Sequence, residues 1–64
     1  MKVREVIKLI EDDGWVLVRQ TGSHRQYRHA IKPGTTTVAG NLGKEIKAGT
    51  LANVLRQAGL KGPR

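Results

Sequence analysis

Apolar residues recur along this chain with two different periods. Near the start, Val3, Val6, Ile7 and Ile10 fall three or four positions apart, which is one stripe of a helix turning every 3.6 residues. The stripe predicts a helix over 2–13, with Gly14 where a left-handed C-cap belongs. Glu11, Asp12 and Asp13 crowd the end of that helix, where the dipole disfavours negative charge; they read either as an indifferent solvated end or as acids with a task, repelling wrong partners or pairing with a basic neighbour. The period then shortens to two. Trp15 to Gln20 is rich in β-branched and aromatic residues and reads as a strand. Alternation sends Trp15 and Leu17 toward the helices and leaves Val16 and Val18 partly exposed or covered by a partner.

Thr21-Gly22-Ser23 is a tight connection, and His24 to Ile31 forms a second strand antiparallel to the first. Alternation groups His24, Gln26 and Arg28 on one face, with Arg25, Tyr27, His29 and Ile31 on the other; Tyr27 and Ile31 are expected in the core. Lys32-Pro33-Gly34-Thr35 is a turn, and 36–39 is a short third strand. A basic loop, 40–48, leads to a second helix ending near Ala58, with Leu51, Val54, Leu55 and Ala58 as its stripe. Gly59-Leu60 reads as a Schellman stop, and residues 61–64 as a frayed tail. The order is α-β-β-β-α. Two apolar stripes need one apolar face, so the fold class is a two-layer α+β sandwich, with both helices on one side of a three-stranded antiparallel sheet. The other side of the sheet stays free.

At 64 residues the chain is a single domain of 1–64, short enough to bury only about 60% of its unfolded surface. With no cysteine, neither a disulfide framework nor a thiolate metal site is possible. Two histidines and few acids give no reason to expect a metal or other cofactor. No run approaches membrane-spanning length and no signal peptide is visible, so a cytoplasmic, soluble protein is expected.

Charge changes the picture more. Twelve Lys and Arg face five Asp and Glu, a formal +7. Four of the acids, Glu5, Glu11, Asp12 and Asp13, belong to the first helix; beyond Gly14 only Glu45 remains. A polyanion-binding surface would therefore lie in everything after that helix.

The chemistry concentrates between Arg19 and Tyr27. His24 follows a tight turn on the free face of the sheet, and histidine is able to take or give a proton near neutral pH. Arg19, Gln20, Gly22, Ser23, Arg25, Lys44 and Lys47 are the candidates to hold a phosphate beside it, through side chains or, at Gly22, exposed backbone N–H groups. RNA carries its own nucleophile in the 2′-hydroxyl. One base and a cationic cradle therefore suffice for cleavage without a metal. His29 reads as structural, and Tyr27 as a core residue.

Gly14-Trp15, the run Arg19-Gln20-Thr21-Gly22-Ser23-His24 with Tyr27, the pair Thr37-Val38, and the closing Gly49-Thr50-Leu51 and Val54-Leu55-Arg56-Gln57-Ala58-Gly59-Leu60 resemble the signature of the HicA toxin family. The resemblance runs from the first helix to Leu60. It implies a fold like that of a double-stranded RNA-binding domain, cleavage of mRNA as an mRNA interferase, His24 as the catalytic residue, and a HicB-type antitoxin as partner. The family often has proline and, two positions on, histidine after the Thr-Val pair; Ala39 and Asn41 stand there in this chain. The alternative is a non-catalytic RNA-binding module of the same fold. A subunit that chiefly binds an acidic protein is a third reading.

Overall fold

The computed structural model describes residues 1–60; the tail expected at 61–64 lies outside the described residues. In chain order the elements are α1 (Val3–Asp12), β1 (Trp15–Thr21), β2 (His24–His29), β3 (Thr35–Ala39) and α2 (Ala48–Gln57). The strands form one antiparallel sheet in the order β1-β2-β3, a meander with β2 in the middle. Both helices lie against one face. The α-β-β-β-α sandwich read from the sequence is the observed fold, and it matches the double-stranded RNA-binding-domain type.

The core forms where the stripes meet. Val3, Val6 and Ile10 of α1, Leu51, Val54 and Leu55 of α2, and Ala58 just beyond it close over Trp15, Tyr27 and Val38, with Ile7, Ile46 and Leu60 at the margin. α1 begins under the loop that follows β3: Val3 N–H donates to Lys44 O at 2.9 Å and Arg4 N–H to Leu42 O at 3.1 Å, giving two of the helix's otherwise orphaned donors an acceptor. α2 ends in the predicted Schellman stop. Leu60 N–H donates to Leu55 O at 2.8 Å and Gly59 N–H to Arg56 O at 3.1 Å, the 6→1 and 5→2 pair of that motif.

The C-terminal ends of the two helices are joined by one ammonium group. Lys32 Nζ donates to Asp13 Oδ2 at 2.5 Å and to Ala58 O at 3.1 Å. The Trp15 indole N–H also donates to Ala58 O, at 3.2 Å. A lysine at the negative ends of two helix dipoles is favourable, and it answers the crowding of acids at the end of α1. His29 completes the knot. Its Nε2 lies 2.6 Å from Asp13 O, while its Nδ1 accepts from the N–H groups of Ile31 and Lys32 at 3.0 and 3.1 Å. Those partners put the ring proton on Nε2. The ring meets Trp15 edge-on, centroids 5.3 Å apart. Gly14 is required here: a Cβ on it would stand 2.7 Å from His29 Nε2, and its φ is +105°. His29 is thus structural, as its register predicted.

Three expectations need correction. β2 stops at His29 because the His29 side chain, rather than a neighbouring strand, takes up the next N–H groups; Ile31 leaves the sheet and is 88% exposed instead of in the core. Leu17 does lie opposite Tyr27 on the helix side. It sits on an edge strand, however, and stays 41% exposed. Finally, β1 is irregular. Leu17 pairs with Tyr27 but Arg19 pairs with Gln26, so Val18 is an extra residue, a bulge that resets the alternation after it.

Two predictions follow from this packing. The hydrogen bond from Lys32, aided by the nearby positive charges, holds the Asp13 carboxyl below its ordinary range. A depressed carboxylate pKa adds stability above the unfolded value, about 3.9, that is lost as pH falls through the folded value. Denaturation midpoints measured from pH 6 downward should therefore fall less steeply below about pH 4 for Asp13→Asn than for the unmutated chain. Separately, the Thr36 hydroxyl is buried with no hydrogen-bond partner among the described residues. Thr36→Val should raise stability by about 1 kcal/mol, read as a higher melting temperature; a lower one would mean that the hydroxyl is satisfied.

Candidate active site

The knot occupies one end of the sheet, and the candidate residues gather at the other. Thr21, His24 and Ala39 stand side by side across β1, β2 and β3 there. Gly22 and Ser23 form the β1–β2 turn, with Gly22 at φ +58°, a backbone setting that a side chain disfavours. Ser23 O accepts Gly40 N–H at 3.1 Å, which ties this turn to the exit of β3.

Cross-strand partners share a face, so the register sorts the side chains. The open face carries Val16, Arg19 and Thr21 from β1, His24, Gln26 and Arg28 from β2, and Thr35, Thr37 and Ala39 from β3. Among the described residues it holds no carboxylate. All four acids of the first thirteen residues ride on α1 or its C-cap, behind the sheet. His24 is exposed, and no hydrogen bond to its ring is found among the described residues. The bulge at Val18 decides the position of Arg19. Strict alternation from Trp15 would have sent Arg19 to the helix side; the extra residue turns it to the His24 face, diagonal to the imidazole.

Not every candidate joins them. The same bulge sends Gln20 to the helix side, opposite Arg25, where its amide donates to Gly22 O at 3.0 Å. Arg25, a candidate phosphate contact, is only 9% exposed. Its Nη1 donates to Ser23 O at 3.2 Å and to Gly40 O at 2.9 Å. Arg25 therefore clamps the turn that displays His24, and its guanidinium is directed away from the open face. Gln20 and Arg25 shape the site from behind.

Lys44 and Lys47 approach from the loop after β3. The Lys44 stem passes Gly40, where a Cβ would lie 3.6 Å from Lys44 Cδ. Lys47 is the N-cap of α2, whose first turn contains no acid and has no side-chain cap, so lysine charge and helix dipole add. Both lysines and Ala39, the strand partner of His24, line one cavity of about 270 Å³. Tyr27 is no alternative base: burial pushes its phenol above the ordinary range. Among the described residues no three His, Asp or Glu side chains come together, and no helix is long and apolar enough to cross a membrane.

The family model described as "HicA toxin of bacterial toxin-antitoxin" matches residues 3–60, nearly the whole described chain. The protein belongs to that family of toxins, whose members work against an antitoxin partner. Comparison with curated proteins gives no match.

The placement of Arg25 carries a prediction. Arg25→Met keeps the apolar stem and removes two charge-assisted bonds to backbone carbonyls, which should cost about 2 kcal/mol. Thermal unfolding checks this. An unchanged melting temperature with weaker retention on a polyanion column would show Arg25 to be a phosphate contact after all.

Proposed function

With membership of the HicA toxin family as the premise, we propose that this chain is an endoribonuclease acting on mRNA, with His24 as its catalytic residue. The observation that carries the reading is the exposed imidazole on a sheet face that also carries Arg19 and Arg28 and, among the described residues, no carboxylate, with Lys44 and Lys47 lining a cavity at its strand partner Ala39. The 2′-oxygen of a ribose attacks the adjacent phosphorus, the bond to the 5′-oxygen breaks, and a 2′,3′-cyclic phosphate is left. One proton leaves the 2′-hydroxyl and one reaches the departing 5′-oxygen; His24 serves one of these transfers. Arg19 and the lysines stabilise the charge that builds on the phosphate. Gly22 and Ser23 hold the turn in the shape that displays the imidazole. Substrate contacts are left to orient the ring, since no hydrogen bond to it is found among the described residues.

A HicB-type antitoxin is the partner that fits. Covering His24 would bury Arg19 and Arg28, which calls for an acidic partner. Val16 and Val18, 62% and 57% exposed, lie on the same strand and offer apolar area to the same contact.

His24→Ala should lower the RNA cleavage rate by about 10²–10⁴-fold and abolish growth arrest, with an unchanged circular dichroism spectrum. EDTA should leave the rate of the unmutated protein as it was. Cleavage by His24→Ala at the unmutated rate would end the assignment. Salt-sensitive RNA binding by the unmutated chain with no product on long incubation would select a binding module instead.

A further inference from the structure

The cavity beside Ala39 is not explained by phosphate binding alone. Val3, Ala39 and Ile46 give it apolar wall; Lys44, Lys47 and Thr50 give it cationic and hydroxyl groups. An inorganic anion has no use for the apolar part. A nucleotide uses both, the base against Ala39 and Ile46 and the phosphate against the lysines, with the fully buried Val3 behind them. At about 270 Å³ the space falls just below the range of drug-sized pockets, about 300–1,000 Å³, which suits one nucleotide and no more. Its location agrees. Ala39 is the strand partner of His24, and adjacent strands are about 4.8 Å apart, so the cavity begins one strand beyond His24, at the edge of the sheet.

The walls are built in advance. Val3 N–H donates to Lys44 O and Ile46 N–H to Met1 O, both at 2.9 Å, and Lys2 and Glu45 form a bridge between the two segments. Leu51 N–H donates to Lys47 O at 2.9 Å, which fixes the start of α2. A rigid cavity beside a reactive group is a specificity device more than a flexible surface is.

Glu45 is the feature that names the ligand. It is the single Asp or Glu after Asp13, and it lines this cavity. A negative charge in a phosphate-binding surface costs affinity unless it finds a donor. The hydrogen bond from the Met1 amino group, 2.9 Å to Oε2, holds the carboxyl below its ordinary range, so it is an ionised acceptor with lone pairs to spare. The donors a nucleobase presents are its exocyclic amino groups. Cytosine offers one at the position where uracil offers a carbonyl acceptor.

We propose that this cavity is a base-binding subsite for the nucleotide next to the cleaved bond, and that Glu45 selects bases bearing an exocyclic amino group. The proposal deepens the ribonuclease reading and rests on it only for the statement that a cleaved bond lies alongside.

The test uses the full chain as the His24→Ala variant, titrated with cytidine monophosphate, uridine monophosphate and inorganic phosphate while amide shifts are followed by NMR. The cytidine nucleotide should shift Ala39 and 45–50 and bind about tenfold tighter than the uridine nucleotide, with phosphate weaker than either. Adding Glu45→Gln should erase the preference, because an amide is able to donate to the uracil carbonyl as well; an otherwise superposable spectrum shows that the fold is kept. Equal affinity for the two nucleotides, shifts lying elsewhere, or phosphate binding as tightly as the nucleotides would each overturn the subsite. The two readings fail separately. Cytidine preference in a chain that never cuts RNA would uphold the subsite and remove the nuclease, whereas cutting without nucleotide selectivity would do the reverse.

Discussion

Both helices of this small domain finish at one ammonium group. Lys32 Nζ binds the side chain of the residue that caps α1 and the carbonyl of the residue that caps α2. The Trp15 indole and the His29 imidazole seal the same spot. A domain of this length has little apolar area to bury, so the placement of two short helices cannot rest on area alone. The alignment of two negative dipole ends on one cation ties the stopping points of the two helices together, while their apolar stripes decide which face each turns to the sheet. It also concentrates the demanding packing at one end of the sheet. The opposite end, where the β1–β2 turn meets the exit of β3, is free to be shaped by other requirements.

At that end a single inserted residue does the sorting. Val18 shifts the register by one, which turns Arg19 to the open face and Gln20 to the helix side. Arg25 follows the regular alternation of β2 and arrives beneath the turn, where Ser23 O and Gly40 O take its guanidinium. The local sequence is a run of polar and cationic groups that looks uniform. Its fold divides them into two kinds, those displayed with His24 and those that brace the turn behind it. Salt bridges elsewhere are peripheral by comparison. The Lys8–Asp12 contact at 3.8 Å, for example, lies between two exposed side chains and adds little.

The legible part of this structure was whatever depends on periodicity. The stripes of α1 and α2, the Schellman stop at Gly59 and the three-stranded meander all come from spacings that the chain states openly. The bulge was hidden because Trp15 to Val18 are apolar at every position, so neither face is marked and a slip of one leaves no trace in the pattern. Arg25 shared a register with Tyr27, which put it on the core side, yet its acceptor at Gly40 lies fifteen residues away and could not be read locally. Ile31 was misplaced because the strand ends through a side-chain acceptor, His29 Nδ1, that no propensity describes. Glu45 looked like a stray acid in a basic loop; only the closure of that loop against the start of α1 puts it in a cavity.

The separation of charge across the sheet has a consequence for approach as well as for contact. Glu5, Glu11, Asp12 and Asp13 ride on α1 or its C-cap behind the sheet, while Arg19 and Arg28 stand on its open face, so that face presents positive charge to an approaching molecule. A polyanion would begin to rotate the protein into alignment before the two surfaces touch. Such steering raises the rate of productive encounter and fades as ionic strength grows. An acidic inhibitor arriving from the same direction would gain the same advantage, so both would compete for this protein by speed as much as by grip.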